Sequence, residues 1–320
     1  MQYIILLILL FPGLLIYFKI ADHYNIIDKP NERSSHSTVT LRGGGVVYWL
    51  AAVLFLVFNH QSTDWLFFAG LSLIALISFY DDIKGSTPLI RLLIHLAAMT
   101  LIFVMAGVLT QYPWWALALG YIIFVGIINA WNFMDGINGI TGLYSLAVLV
   151  GLQYLNLVQI PFVNPALIWY PMIASAVFLF FNFRKKARCF AGDVGSVTIA
   201  FWTVTLMLML MLESHSLIWI GFMLVYGVDS VLTILHRMYL RQNIFKAHRL
   251  HFYQILANEQ KIQHRVVSVI YFVVQLLVSF AIIFGYPVMG WWIFVILSVL
   301  LAAIYLLKFR LTKLGNATTK

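Results

Sequence analysis

The sequence predicts an all-α integral membrane protein, and three features carry that prediction. Hydrophobic residues make up 62% of the 320 and charged residues only 10%, whereas a soluble domain carries about 25% charged residues. The surplus of apolar side chains must face lipid. These residues also fall into about eleven long blocks, separated by short polar segments, each suited to cross a hydrocarbon core as a helix. Finally, threading the blocks alternately through a bilayer puts all 20 lysines and arginines on one side, as the positive-inside rule requires of a cytoplasmic face.

The spans run roughly over 2–18, 43–59, 65–80, 90–108, 114–131, 141–159, 167–183, 196–212, 216–235, 266–284 and 288–307. The first starts MQYIILLILL without a basic region, which reads as a membrane span and not as a cleaved signal peptide. Tyr112-Pro113 and Gly285-Tyr286-Pro287 supply turn cues between later spans. The loops opposite the basic face hold only Asp64 and Glu213 among charged groups. This threading places the N-terminus in the periplasm and the C-terminus in the cytoplasm, with 1–320 as a single polytopic domain.

Composition also excludes partners. A lone cysteine, Cys189, rules out an intramolecular disulfide and a cysteine metal cluster. The net charge of +9 fits attraction to anionic lipid headgroups. No basic stripe interleaved with aromatics sits in a soluble domain, so nucleic acid is not an expected partner. Polar residues gather in five segments of the basic face: 19–42, 81–91, 129–142, 184–196 and 236–265.

The segment DKPNERSSHSTVTLRGGG (28–45) ends in three glycines that permit close backbone approach, with Arg42 placed to meet a phosphate at a helix start. A solvated loop with a glycine hinge is the plainer reading. In YDDIKGSTPLIR (80–91), Asp81 and Asp82 are adjacent like charges at a span end, a costly pair unless a cation or a proton-transfer role uses it. Ser86 or Thr87 caps the next helix, with Pro88 in its first turn and Lys84 and Arg91 nearby.

NAWNFMDGINGITG (129–142) spaces Asn129, Asn132 and Asp135 by three, which puts them on one face of a helical end. Its Gly136, Gly139 and Gly142 either let backbone amides approach an anion or serve close helix contacts. In AGDVGS (191–196), Asp193 between glycines at a helix start suits a magnesium ion, or serves as a plain cap. Apolar Ile244, Phe245, Leu250, Tyr253 and Leu256 in 236–265 suggest an amphipathic helix on the membrane surface. There His248, Arg249 and His251 suit phosphate contact better than zinc, for which no third ligand is evident. Asp229, inside the ninth span, must face the bundle interior and is expected to partner an Arg or His.

Taken together, DKPNERSSH, RGGG, YDDIKG, NAWNFMDGING, AGDVGS and AHRLHFYQ, in this order from about residue 28 to 255, resemble the polyprenyl-phosphate N-acetylhexosamine-1-phosphate transferases. HSTVTLRGGG with AHRLHFYQ is most similar to the O-antigen initiating branch, which handles FucNAc- or QuiNAc-type donors. Val39 departs from the proline usual in that branch, and the single HRLH differs from the triple histidine of the peptidoglycan branch.

The resemblance implies a bacterial inner-membrane enzyme with its active site on the cytoplasmic face. It would move a sugar-1-phosphate from a UDP-N-acetylhexosamine to polyprenyl phosphate with Mg2+, or Mn2+ in its place, releasing UMP. Asp193 would bind the metal with Asn132. Asp81 and Asp82 would manage the lipid phosphate's proton or the metal's surroundings, and Asp135 would line the nucleotide-sugar pocket. His248, Arg249 and His251 would hold the donor's diphosphate, and Arg42, Lys84, Arg91 and Asn129 would complete the phosphate and substrate contacts.

Direct attack by the lipid phosphate and a covalent route through Asp81 or Asp82 both remain open. A homodimer facing lipid is compatible with the sequence. The rival class, a transporter or flippase for an anionic or lipid-linked solute, would keep its ionisable groups near the midplane and show internal repeats. Here the polar groups lie at one interface.

Overall fold

The computed structural model describes residues 1–28, 39–62, 64–243 and 249–311. All eleven apolar blocks are helices within it: α1 Gln2–His23, α2 Val46–Phe58, α3 Trp65–Lys84, α4 Pro88–Met105, α5 Trp114–Met134, α6 Ile140–Val158, α7 Ala166–Asn182, α8 Gly192–Ser214, α9 Leu224–Tyr239, α10 His264–Met289 and α11 Trp292–Leu306. A 3₁₀ segment, Leu217–Met223, leads directly into α9. Among the described residues nine spans are long and apolar enough to cross a membrane, while α2 and α7 are shorter apolar helices. Helices are what hydrocarbon allows, because each backbone donor and acceptor finds its partner within the segment. The chain is a multi-pass, all-α membrane protein.

α8 forms the axis of the bundle. Nearly its whole length is buried, with α3 and α5 packed along it. α6 pairs with α10 and α7, α1 and α2 lean on α7, and α11 packs on α9 and α10. Outer surfaces carry bare apolar side chains such as Ile4, Trp114, Ile122 and Val299, as lipid-facing helices should. An aromatic knot of Trp131, Tyr144 and Tyr226 fills the α5–α6–α9 junction, with the two tyrosine rings stacked at 3.4 Å. Tyr144 donates to Gln275 Oε1 at 2.6 Å, so its hydroxyl is satisfied without water.

One feature departs from a purely helical expectation. Ile27–Asp28 (β1) pairs antiparallel with Thr40–Leu41 (β2), and Leu41 bridges to Cys189. The chain then runs on through Gly44, whose N–H donates to the Phe190 carbonyl at 2.8 Å, and Gly45, whose N–H donates to the Ala191 carbonyl at 3.0 Å. The glycines here make close backbone approaches. A Cβ on Gly45 would collide with the Gly195 Cα, and Gly43 has a positive φ of 79° while its Cβ would strike the Tyr17 hydroxyl.

The contact between Gly45 and Gly195 brings the starts of α2 and α8 together backbone to backbone. Gly45→Ala is therefore expected to cost about 1–3 kcal/mol, read as a lowered melting temperature in detergent. An unchanged melt would show that the crossing can open without penalty.

The segment 236–265 corrects an expectation. It does not lie on the surface as one amphipathic helix within its described part. Residues 252–254 form a single helical turn, followed by a π-turn at Ile255–Glu259. Tyr253 and Ile255 are both fully buried, so the bundle takes this segment in from two sides. Ile244, Phe245 and His248 lie outside the described residues.

Candidate active site

The polar residues meet at the end of the bundle where α3 ends and α4 and α8 begin. α3 carries Asp81 and Asp82 on its last turn. Lys84 and a C-terminal Gly85 with φ of 74° close the helix. Two neighbouring residues on a helix point about 100° apart, and here that difference divides the two carboxylates into separate tasks.

Asp82 faces inward, with a fully buried side chain. Its Oδ1 accepts from the Asp193 backbone N–H at 2.9 Å, and Oδ2 from that of Val194 at 3.0 Å. Oδ1 also receives Arg42 Nε at 2.7 Å. Asp82 thus satisfies the first amides of α8, donors that a helix leaves without partners, and its charge complements the positive end of the helix dipole. Gly192, with φ of 69°, leaves the space for this: a Cβ there would sit 2.5 Å from Asp82 Oδ2.

Asp81 faces the half-open side. Ser86 donates to its Oδ1 through both backbone N–H and hydroxyl, each at 2.5 Å, and Arg91 Nη1 reaches Oδ2 at 3.0 Å. Thr87, not Ser86, caps α4, accepting from the Ile90 N–H at 3.4 Å. The same Arg91 Nη1 lies 3.3 Å from Asp193 Oδ2, while Arg42 lies 3.6 Å from Asp193 Oδ1. Asp193 is therefore the point shared by both guanidiniums, held by long contacts from each.

For Arg42, burial alone would lower the guanidinium pKa. The carboxylates of Asp82, Asp193 and Asp28 outweigh that and raise it above its ordinary value. The charge balance of the cluster is three carboxylates against two guanidiniums.

Asn132 joins from α5. Its Oδ1 accepts from the Ser196 hydroxyl at 2.8 Å, one turn of α8 below Asp193. Asp135 caps the end of α5 and accepts from the Thr141 hydroxyl at 2.5 Å. Burial pushes the Asp135 carboxyl up to about 6 against that hydrogen bond, and the charge of Asp82 adds to the rise.

Other candidates fall elsewhere. The Asn129 amide donates to Val125 O at 2.9 Å in its own helix, so the threefold spacing does not bring it into the cluster. Lys84 is exposed and lies 5.9 Å from the Tyr80 ring centroid. The glycines of 136–142 pack against side chains: a Cβ on Gly136 would strike Tyr253, on Gly139 Phe183, on Gly142 Leu179. The Gly139 N–H is already bonded to Asn182 Oδ1 at 2.6 Å. That motif is a junction between elements and not an anion nest.

Of the histidine segment, Arg249 is half-buried, His251 is buried, and His248 lies outside the described residues. His251 Nδ1 sits 3.2 Å from Asp229 Oδ1, which supplies the partner that the interior aspartate of α9 required. Tyr253 ties this segment to the cluster, donating to Phe133 O at 3.1 Å beside Asn132. Ser86, Ser196, Thr141 and Tyr253 carry much of the site's geometry, and nothing in their local sequence marks them out for it.

A hard divalent cation fits the donor set. Magnesium takes one or two carboxylates, keeps waters and completes its shell with substrate phosphates. Asp193 is a largely buried carboxylate with long contacts to Arg91 and Arg42 and a contact to the Asp81 carboxyl, and the Asn132 oxygen of α5 meets Ser196, one turn along α8. Among the described residues no three His, Cys, Asp or Glu side chains form a ready-made cage.

The family model of glycosyl transferase family 4 matches residues 65–211, which include Asp81, Asp82, Asn132, Asp135 and Asp193. An undecaprenyl-phosphate alpha-N-acetylglucosaminyl 1-phosphate transferase of Yersinia pestis is 27% identical over 59% of this chain and 57% of its own length, so the match spans little more than half of that relative. A probable undecaprenyl-phosphate N-acetylglucosaminyl 1-phosphate transferase of Bacillus subtilis is 26% identical over 74% of this chain and 71% of its own. A phospho-N-acetylmuramoyl-pentapeptide-transferase of Thermotoga neapolitana is 24% identical over 68% and 76% respectively. Residues 65–211 thus match glycosyl transferase family 4, and the chain is similar to polyprenyl-phosphate hexosamine-1-phosphate transferases.

Proposed function

We propose that this protein transfers an N-acetylhexosamine-1-phosphate from a UDP-sugar to undecaprenyl phosphate, at the cytoplasmic face of a bacterial inner membrane. The observation that carries the reading is the convergence of Asp81, Asp82 and Asp193 with Arg42 and Arg91 at one end of membrane helices. An acceptor with its tail in lipid and a donor in water can meet only at such an edge.

An oxygen of the lipid phosphate attacks the β-phosphorus of the UDP-sugar. The new P–O bond forms as the bond from that phosphorus to the bridging oxygen breaks, and UMP leaves with the electron pair. Phosphoanhydride replaces phosphoanhydride, so the main obstacle is bringing anions together. Arg91 engages its two carboxylates through a single terminal nitrogen, leaving the rest of its fork to orient phosphate oxygens. Arg42, anchored to Asp82 through Nε, presents its terminal nitrogens on the same side as Asp193. Magnesium held by Asp193 and Asn132 would supply charge neutralisation on the diphosphate.

Neither α3 carboxylate is poised as a nucleophile. Asp82 is buried with both oxygens engaged, and Asp81 is held by Ser86 and Arg91. This supports direct attack over an aspartyl-phosphate route. The donor we favour is an N-acetylated hexosamine of the 6-deoxy type, which would make the enzyme an initiator of O-antigen synthesis. The similarity of the loop ending in RGGG and of the HRLH segment supports that choice.

The test is a panel of UDP-N-acetylhexosamines given to detergent-purified protein with undecaprenyl phosphate and magnesium, the lipid product being weighed by mass spectrometry. One donor should yield polyprenyl-diphosphate sugar. Product from UDP-GlcNAc alone would discard the 6-deoxy assignment, and product from none would discard the reaction.

A further inference from the structure

The richest polar assembly outside the Asp193 cluster surrounds Asp229, in the interior of α9. Its Oδ2 accepts from the Tyr271 hydroxyl of α10 at 2.7 Å. Its Oδ1 accepts from the Phe252 N–H at 3.0 Å and from Thr233 Oγ1 at 3.3 Å, and lies 3.2 Å from His251 Nδ1. A buried carboxylate is costly unless donors surround it, and here they converge from α9, α10 and the 249–254 segment.

The last helix adds a second tier. Lys308, just past α11 and buried, donates to the Leu250 carbonyl at 2.6 Å and to the Tyr305 hydroxyl at 2.5 Å. The Tyr305 hydroxyl is 2.9 Å from Thr233 Oγ1. Its proton can only be given onward, because Lys308 is a pure donor. The order of donors is then Lys308, Tyr305, Thr233, Asp229.

We propose that Asp229 is a positioning residue for His251, in a socket closed by Tyr271, by Tyr305 of α11 and by Lys308 just beyond it. The inference rests on the transferase reading, in which His251 meets the donor's diphosphate. The carboxylate settles which ring nitrogen carries the proton: Nδ1 donates to Asp229, so chemistry at His251 runs through Nε2. The Phe252 N–H bond fixes the backbone at the same point, and Tyr253, stacked beside the His251 ring, anchors the turn to Phe133 next to Asn132. Four helices thereby hold one imidazole in one orientation beside the α5 terminus.

The test separates positioning from plain stability. ¹⁵N-histidine NMR of the detergent-solubilised full chain, with His251 assigned by its loss in His251→Gln, should show a protonated Nδ1. Asp229→Asn keeps an acceptor oxygen for Nδ1, since the Tyr271 hydroxyl can turn to accept from the new amide. That variant should keep the Nδ1 proton and hold kcat within about tenfold of wild type. Asp229→Ala should lose the Nδ1 proton and about 10–100-fold in kcat, with a smaller change in donor KM.

An Nε2-protonated, Nδ1-bare His251 in the wild-type protein would overturn the proposal. So would equal kcat losses in the Asn and Ala variants. If Asp229→Ala does not fold, the wild-type spectrum and the Asn variant still decide. A wild-type protein that shows the Nδ1 proton but transfers no sugar-phosphate would sink the transferase reading and leave the socket standing.

Discussion

Asp193→Asn is expected to lose on the order of 10³-fold in turnover while melting at or above the wild-type temperature. The cluster holds three carboxylates and two guanidiniums within a few bonds of one another. Neutralising one carboxylate relieves like-charge repulsion, and the Asp193 contacts to Arg91 and Arg42, at 3.3 and 3.6 Å, and to the Asp81 carboxyl are ones that asparagine can partly keep. Its backbone N–H, which anchors the helix to Asp82, is untouched. The activity falls because the side chain is the point where both arginines and a divalent cation would act on the diphosphate. Active sites commonly carry such a stability cost. A variant that loses activity and stability together would show that Asp193 is a structural cap.

Asp82→Ala is expected to behave in the opposite way, costing about 3–5 kcal/mol of stability and activity with it. It removes the acceptor for two α8 amides and the anchor of Arg42 at once. The packing around Asp82, tight against Gly192, gives the site little room to admit a compensating water. The measurement is thermal unfolding in detergent beside the activity assay. A variant that melts like wild type but does not turn over would move Asp82 from the frame of the site into its chemistry. The neighbours on one helix thus differ in surroundings: Asp81 is partly exposed and held by Ser86 and Arg91, while Asp82 is closed in and holds the start of α8.

The eleven helices were legible because lipid makes an apolar run and a helix nearly the same statement. Even α2 and α7, too short to satisfy a strict span length, were marked by their flanking polar segments. The motif residues were legible as a set, since Asp81, Asp82, Asp193, Arg42 and Arg91 do meet. Their division of labour was hidden. Which of Asp81 and Asp82 points inward depends on the rotation of α3 against α8, and residue spacing does not encode rotation.

The glycines misled in the other direction. Gly136, Gly139 and Gly142 read equally well as an anion cradle or as packing contacts, and the rings of Tyr253 and Phe183 and the side chain of Leu179 decide for packing. In the histidine segment the apolar residues recur at helical intervals, which predicts a surface helix. Its fold is set instead by Asp229, a residue 22 positions away from His251, whose carboxylate pulls the Phe252 amide into the bundle. Long-range polar contacts of this kind leave no local periodicity to read.

The most direct test of sugar-phosphate transfer is the identity of the nucleotide released by purified protein, with and without undecaprenyl phosphate. UMP is expected, formed only when the lipid phosphate is present, in step with loss of the UDP-sugar. UDP in its place would mean that the bond between the sugar carbon and the phosphate oxygen breaks, and one equivalent of UMP per protein formed without lipid, with the sugar-1-phosphate retained on the chain, would mean a covalent intermediate. Either result would contradict direct attack of the lipid phosphate on the donor's β-phosphorus.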